Sequence, residues 1–201
     1  AFTPAFCLDY DGTLAPIVTD PAMAMLPRGT KTLLRQLSDR HPTAIVSGRS
    51  LAKLREWVRV EGLYFAGSHG FEIVGPHGST LNYTVAPELL PTIQAALAAL
   101  QAQVLTVPGV MIVDNKFALS VHTRNVSAAE LPRLDELVDT ALEEQPMLRR
   151  SAGLHVIELK PQVNWHKGRA VEWMLKAMCE QMGLPSSAAE RNNTVLPIYI
   201  G

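Results

Sequence analysis

Apolar positions along this chain follow two patterns, and the switch between them divides it into three segments. Ala5-Phe6-Cys7-Leu8, Thr43-Ala44-Ile45-Val46 and Leu63-Tyr64-Phe65-Ala66 are short, nearly continuous apolar runs, each stopping at a polar or glycine-bearing loop. Such runs read as strands buried on both faces. Between them, Leu26 to Leu37 has helical spacing, with Leu26, Leu33, Leu34 and Leu37 expected on the inner face and Pro27 in the first turn. A second helix is expected from about Ser50 to Val58, with Ser50 as its cap. Strand, helix, strand, helix, strand is the order of a parallel sheet covered by helices.

The pattern then changes. Phe71 to Val74 and Thr80 to Val85 read as a hairpin across Gly75-Pro76-His77-Gly78. A long helix is expected from Glu88 to about Val107, strands at Val110–Asn115 and Phe117–Thr123, and a helix from about Ala128 to Glu144. A further strand pair is expected at Met147–Arg150 and Leu154–Leu159. Short alternating strands with two helices predict an α+β module with one open sheet face. Its expected range is 78–162, inserted between 1–77 and 163–201. The first pattern returns with a helix over His166–Met182, broken by Gly183 and Pro185. A polar loop at 190–193 leads to a last strand, Val195–Ile200, in which Pro197 argues against an uninterrupted central ladder.

Composition narrows the function classes. The chain has 201 residues, 47% apolar, which suits packed domains. Eighteen Lys and Arg against nineteen Asp and Glu give a net charge of -1, so nothing global attracts nucleic acid or an anionic membrane. Cys7 and Cys179 lie far apart and are expected to be buried, reduced thiols. The first residues lack a basic start, an apolar run and a cleavage site, and no apolar stretch approaches eighteen residues. The expectation is therefore no signal peptide, no spanning helix and a soluble, cytoplasmic protein. Asn82-Tyr83-Thr84 and Asn125-Val126-Ser127 fit the glycosylation triplet, a weak signal alone.

Ligands of parallel α/β sheets bind beyond the carboxyl ends of the strands, and the candidate polar groups sit at such ends. Asp9 and Asp11 are two apart, which puts both on one face of a continuing strand. Burying two such carboxylates together is costly without a cation or protons to compensate, and a hard ion such as Mg²⁺ suits oxygen ligands. One carboxylate can attack phosphorus while the other moves a proton; a plain Asp-rich turn is the alternative. Ser47 can hold a phosphoryl oxygen or cap a helix, and Arg49 can bind the same anion or solvate the surface. Lys167 at a helix start disfavours the helix dipole, which hints at another reason for it. In the inserted module, His122 and Arg124 are expected on one strand face, near Asn115 and Lys116, with Glu158 and Lys160 on a face of another strand. The set suits a polyhydroxy ligand, or an ordinary sheet face with cross-strand charge pairs.

Asp9-Tyr10-Asp11-Gly12-Thr13-Leu14 resembles the first motif of the haloacid-dehalogenase (HAD) superfamily, Val46-Ser47-Gly48-Arg49 the second, and Trp165-His166-Lys167-Gly168 the third. Gly67-Ser68-His69-Gly70-Phe71-Glu72, the segment from Asp114-Asn115-Lys116 to His122-Thr123-Arg124, and His155-Val156-Ile157-Glu158-Leu159-Lys160-Pro161 narrow the resemblance to the trehalose-6-phosphate phosphatases, over nearly the whole chain. The implied fold is α/β, a Rossmann-like HAD core with a parallel sheet, plus an inserted α+β cap domain that closes over the phosphate. The resemblance implies that Asp9 is the nucleophile forming an aspartyl-phosphate and Asp11 the general acid, then base. It implies that Ser47 and Lys167 hold the phosphoryl group, and that Mg²⁺ contacts the Asp9 carboxylate and the Asp11 main-chain carbonyl. Arg49, His69, Asn115, Lys116, His122, Arg124, Glu158 and Lys160 are the implied substrate contacts. Trehalose 6-phosphate would give trehalose and phosphate, and a fused or associated trehalose-phosphate synthase is an implied partner. A related sugar-phosphate phosphatase, or a non-catalytic ligand-binding or regulatory domain, are the alternatives. The chain departs from the family where Asp114 and Lys160 replace the more frequent Glu and Arg. The family also carries an acidic pair after Tyr199-Ile200-Gly201, so a chain ending there is expected to bind Mg²⁺ poorly and turn over weakly.

Overall fold

The structure, a computed structural model, describes residues 2–191 and 193–201. In chain order the elements are β1 (Thr3–Asp9), α1 (Arg28–Ser38), β2 (Thr43–Val46), α2 (Leu51–Val58), β3 (Tyr64–Gly67), β4 (Glu72–Val74) and β5 (Asn82–Thr84). Then come α3 (Leu90–Gln103), β6 (Met111–Asp114), β7 (Leu119–His122), α4 (Leu131–Glu143), β8 (Leu148–Gly153) and β9 (Val156–Pro161). The last are α5 (Lys167–Gln181), α6 (Ala188–Arg191) and β10 (Val195–Ile200). They form two compact units, one running to Val85 and resuming at Trp165–Gly201, the other Ala86–Asn164.

The first unit holds a six-stranded sheet in the order β10-β1-β2-β3-β4-β5. β10, β1, β2 and β3 are mutually parallel, and β4 and β5 add on antiparallel. Every residue of β2 and β3 is buried, which explains their unbroken apolar runs. Alternation divides the core: Cys7, Ala44 and Val46 pack in one cluster with Met174 and Met178 of α5. Leu8, Ile45 and Phe65 pack in another with Leu34 of α1 and Leu54 and Val58 of α2. Pro197 sits opposite Ala5 on β10, the end strand of the described sheet, where a missing N–H costs no ladder bond on the outer side. Cys7 and Cys179 are both buried free thiols, as expected.

Several expectations need correction. Leu33 is 65% exposed, because Leu34, one residue and 100° further round α1, takes the inward position. Pro27 is the residue before α1 rather than in its first turn. The pattern assigned 78–85 to the insert, but β5 pairs with β4 in the first sheet. Ser50 does cap α2, accepting from the Lys53 N–H at 3.5 Å.

The second unit is an antiparallel sheet in the order β6-β7-β9-β8 with α3 and α4. Ile93, Ala96 and Leu100 of α3 and Leu134 and Val138 of α4 bury one sheet face, carried by Leu119, Val121, Ile157 and Leu159. The alternate residues Ser120, His122, Glu158 and Lys160 therefore lie on the opposite face. β8 runs on to Gly153, and the turn falls at Leu154-His155, where the pattern expected a new strand. His155, the second turn residue, takes a left-handed backbone (φ 56), as the i+2 position of a type II turn does. The helical stretch Pro87–Thr106 is long and apolar enough, by length and composition alone, to cross a bilayer. Here it supplies the inward-facing residues of this unit's core.

Candidate active site

β1, β2 and β3 end level with one another. Asp9 pairs with Val46 and Val46 with Ala66, so Asp9, Ser47 and Gly67 share one edge of the sheet. Beyond β1 the backbone folds into a tight loop: the N–H groups of Leu14 and Ala15 donate to the Tyr10 carbonyl at 3.0 and 2.9 Å, and the Gly12 N–H donates to Ala15 at 2.8 Å. Gly12 has φ +81°, a conformation that suits glycine at this reversal. Tyr10 is fully buried and its hydroxyl donates to the Ala24 carbonyl at 2.9 Å, which pins the loop. Burial pushes its phenol above the usual range, the Arg49 guanidinium opposes that rise, and the Asp11 carboxylate adds to it.

The two aspartates have different cation partners. Asp9 Oδ1 accepts from the Tyr10 N–H at 2.8 Å and from Lys167 Nζ at 2.8 Å, with both side chains about three-quarters buried. Lys167 is the first residue of α5, after His166, whose Nδ1 accepts from the Arg169 N–H at 3.4 Å as the cap. The cation there opposes the helix dipole, and the Asp9 carboxylate answers its charge. Asp11 pairs with Arg49: Nε reaches Oδ1 and Oδ2 at 3.0 and 2.9 Å, and Nη2 reaches Oδ1 at 2.6 Å. β1 ends at Asp9, so Asp11 lies in the loop and not on a continuing strand.

Ser47 is fully buried and its Oγ accepts from the Arg49 N–H at 3.1 Å, which leaves its O–H as a donor. The loop after β2 is tied to the one after β3: the His69 N–H donates to Ser47 O at 2.8 Å and the Ser68 N–H to Arg49 O at 2.7 Å. Ser68 and His69 both have positive φ (50 and 58°), costing of order 1–3 kcal/mol each. The His69 ring lies so close to Gly48 that a Cβ there would meet it at 2.8 Å. His69 is thus packed on the Ser47-Gly48-Arg49 turn.

In the second unit, Glu158 and Lys160 do share a face, with Nζ 2.5 Å from Oε2 and both side chains mostly buried. His122 lies on that same face, since it pairs with Val156, two residues before Glu158. Arg124 does not join them as a strand residue: β7 ends at His122 and Arg124 is exposed in the following turn. Asn115 is buried, and its side-chain amide donates to Ser120 Oγ at 3.1 Å. Lys116 is exposed with φ 70°, and its N–H donates to Asp114 Oδ1 at 2.7 Å. Ser120 and Ser151 flank Glu158 on the two neighbouring strands. Ser151 Oγ is buried without a hydrogen-bond partner among the described residues.

A cavity of about 510 Å³ opens beside Lys167, lined by Cys7, Glu172, Leu175, Pro197 and Tyr199 among others. Lys167 lines it too, so it borders the strand-end cluster, although neither Asp9 nor Ser47 lines it. Among the described residues, no group of three or more His, Cys, Asp and Glu converges as a metal cage.

A family model described as trehalose-phosphatase matches residues 7–201. The chain belongs to the trehalose-phosphatase family. Among its relatives, trehalose-phosphate phosphatase B of Arabidopsis thaliana is 38% identical over 202 residues, covering 96% of this chain and 52% of its own length. Trehalose-phosphate phosphatase of Mycobacterium bovis is 36% identical, covering 98% of this chain and 48% of its own. The chain thus spans about half the length of these relatives. The fold is similar to the C-terminal domain of C. albicans trehalose-6-phosphate phosphatase, with a TM-score of 0.80 at 24% identity, over 99% of this chain and 70% of that one. It is also similar to a trehalose-6-phosphate phosphatase related protein, with a TM-score of 0.78 at 21% identity, over 98% and 86%.

One carboxylate oxygen of the cluster is open to a hard divalent cation. Asp9 Oδ1 is engaged, but Oδ2 has no hydrogen bond or ion pair among the described residues. Mg²⁺ commonly takes only one or two carboxylates and fills its shell with water and phosphate oxygens. Sequence reasoning missed Trp57, whose ring lies 4.7 Å below the Arg49 guanidinium, and the serines beside Glu158. Trp57 follows the helical spacing of α2 and gives no other signal; the serines become visible only once strand register is known.

Proposed function

We propose that this chain carries the reaction centre of a phosphatase that hydrolyses trehalose 6-phosphate to trehalose and phosphate. The observation that carries the reading is the Asp9–Lys167 contact at a strand edge shared with the buried Ser47 hydroxyl. Lys167 and the Tyr10 N–H hold the Asp9 carboxylate in place, and one of its oxygens is the attacking atom. It bonds to phosphorus as the bond between phosphorus and the sugar oxygen breaks, and Asp11 gives that oxygen a proton. Water then attacks phosphorus, its proton passes to Asp11, and the bond to Asp9 breaks to release phosphate. Lys167 and the Ser47 hydroxyl steady the phosphoryl oxygens through both steps. Mg²⁺, when bound by the Asp9 carboxylate and the Asp11 carbonyl, supplies positive charge against those oxygens.

The sugar is read by the face carrying Glu158, Lys160 and His122. Ser151 Oγ adds a hydroxyl that has no hydrogen-bond partner among the described residues. A site that hydrogen-bonds each hydroxyl discriminates strongly between close analogues. Asn115 and Lys116 support that face by shaping the β6–β7 turn, and Arg124 and His69 are assigned to the substrate's periphery. A fused or associated trehalose-phosphate synthase is the partner of this reading. Phosphate release by the full-length protein with Mg²⁺, over a panel of sugar phosphates, tests it. We expect trehalose 6-phosphate to exceed glucose 6-phosphate and sucrose 6-phosphate in kcat/KM by at least about 10²-fold. Equal values across the panel contradict the substrate, and binding of trehalose 6-phosphate without release from any compound contradicts the reaction.

A further inference from the structure

Arg49 stands where an arginine after a phosphate-binding serine invites assignment to the substrate, but its donors point elsewhere. A guanidinium has five N–H groups, and its flat Nε–Nη2 edge is the one that grips a carboxylate or phosphate with two parallel bonds. In Arg49 that edge is already on Asp11, at 2.6 to 3.0 Å, so it is this gripping edge, rather than every N–H, that is withheld from the substrate. Nη1 donates to the Pro21 carbonyl at 2.8 Å. The face of the group lies 4.7 Å from the centroid of the Trp57 ring and 5.6 Å from that of Tyr10. Its side chain is only 12% exposed, against 40% for Asp11. The arginine is therefore held on three sides, and the aspartate, more open to solvent, is held chiefly by the arginine.

We propose that Arg49, braced by Trp57 and the Pro21 carbonyl, is a positioning residue that aims the Asp11 carboxyl at the leaving oxygen and is not a ligand of the substrate. The inference rests on the phosphatase reading above. The step concerned is the first: the bond between phosphorus and the sugar oxygen breaks, its electron pair stays on that oxygen, and the proton of Asp11 joins it. General acids contribute about 10²–10⁴-fold to such steps, and a displacement of about 1 Å forfeits about 10²-fold. Lysine at 49 keeps the charge but loses both the two-bonded edge and the flat stack. Trp57→Leu keeps an apolar side chain and removes the ring.

A leaving group that needs no proton separates aiming from general support. p-Nitrophenolate departs unprotonated, whereas the sugar alkoxide does not. In the full-length protein with Mg²⁺, Arg49→Lys should lower kcat/KM for trehalose 6-phosphate by about 10²-fold, with KM little changed. For p-nitrophenyl phosphate the fall should be at least about tenfold smaller, and Asp11→Asn should give the same selectivity. Trp57→Leu should move the ratio the same way by a smaller factor, which keeps the test open if Arg49→Lys folds poorly. Equal falls for the two substrates, or a rise confined to KM, overturn the proposal. If the wild type releases phosphate from neither substrate, the phosphatase reading fails, and the clamp is judged by NMR alone. The Arg49 Nε–H resonance should then shift and broaden in Asp11→Asn; an unchanged resonance overturns it.

Discussion

Charged and reactive side chains in this chain owe their state to what the strand ends place beside them. Lys167 accepts an unfavourable position at the head of α5 and meets the Asp9 carboxylate there. Cys7 is the opposite case: one position from the Leu8–Ile200 pair and buried in the sheet, its thiol is pushed up to about 12 by burial alone. The unfolded thiol loses its proton near the ordinary value of 9 while the folded one keeps it. Between those values the unfolded state binds fewer protons, so the contribution is complete below about pH 9 and is lost as pH rises toward 12. The expected slope is about 1.4 kcal/mol per pH unit in that window. Urea midpoints at pH 8 and 10.5 for the wild type and Cys7→Ala check it: the variant should lose part of the alkaline decline, and identical declines contradict the assignment.

At the scale of elements, what was legible in the sequence followed from periodicity, and what was not depended on pairing. β2 and β3 are fully buried and read as continuous apolar runs, and Ser50 announced its helix by type. Leu33 looked like a core position, but α1 turns Leu34 inward and leaves Leu33 exposed, and only packing decides between adjacent leucines. Leu100→Ala, in the fully buried face of α3, should cost about 2–5 kcal/mol by urea denaturation. Leu33→Ala should stay within about 0.5 kcal/mol. Comparable losses would mean that α1 packs differently. The β8–β9 turn escaped notice because His155 is not a turn residue by type, yet it takes the left-handed backbone. The misplacement of Arg124 has a similar cause, because nothing in the local sequence marks the end of β7 at His122.

At the scale of the whole molecule, the proposed reaction centre was more readable than its supports. Asp9 ends a strand, Ser47 follows one and Lys167 opens a helix, places where motif and topology agree. The partners of Arg49 lie 38 and 28 positions back in the chain, and no local pattern reveals them. Trp57 likewise matters for where α2 carries it. The central claim is that Asp9 takes the phosphoryl group from the sugar. Rapid acid quenching of the full-length protein during turnover of trehalose 6-phosphate with Mg²⁺, followed by peptide mass mapping, tests this directly. The predicted result is a phosphoryl group on Asp9 that appears within one turnover and is absent, together with activity, in Asp9→Asn. Wild-type turnover by Asp9→Asn, or label on a different residue, would contradict it.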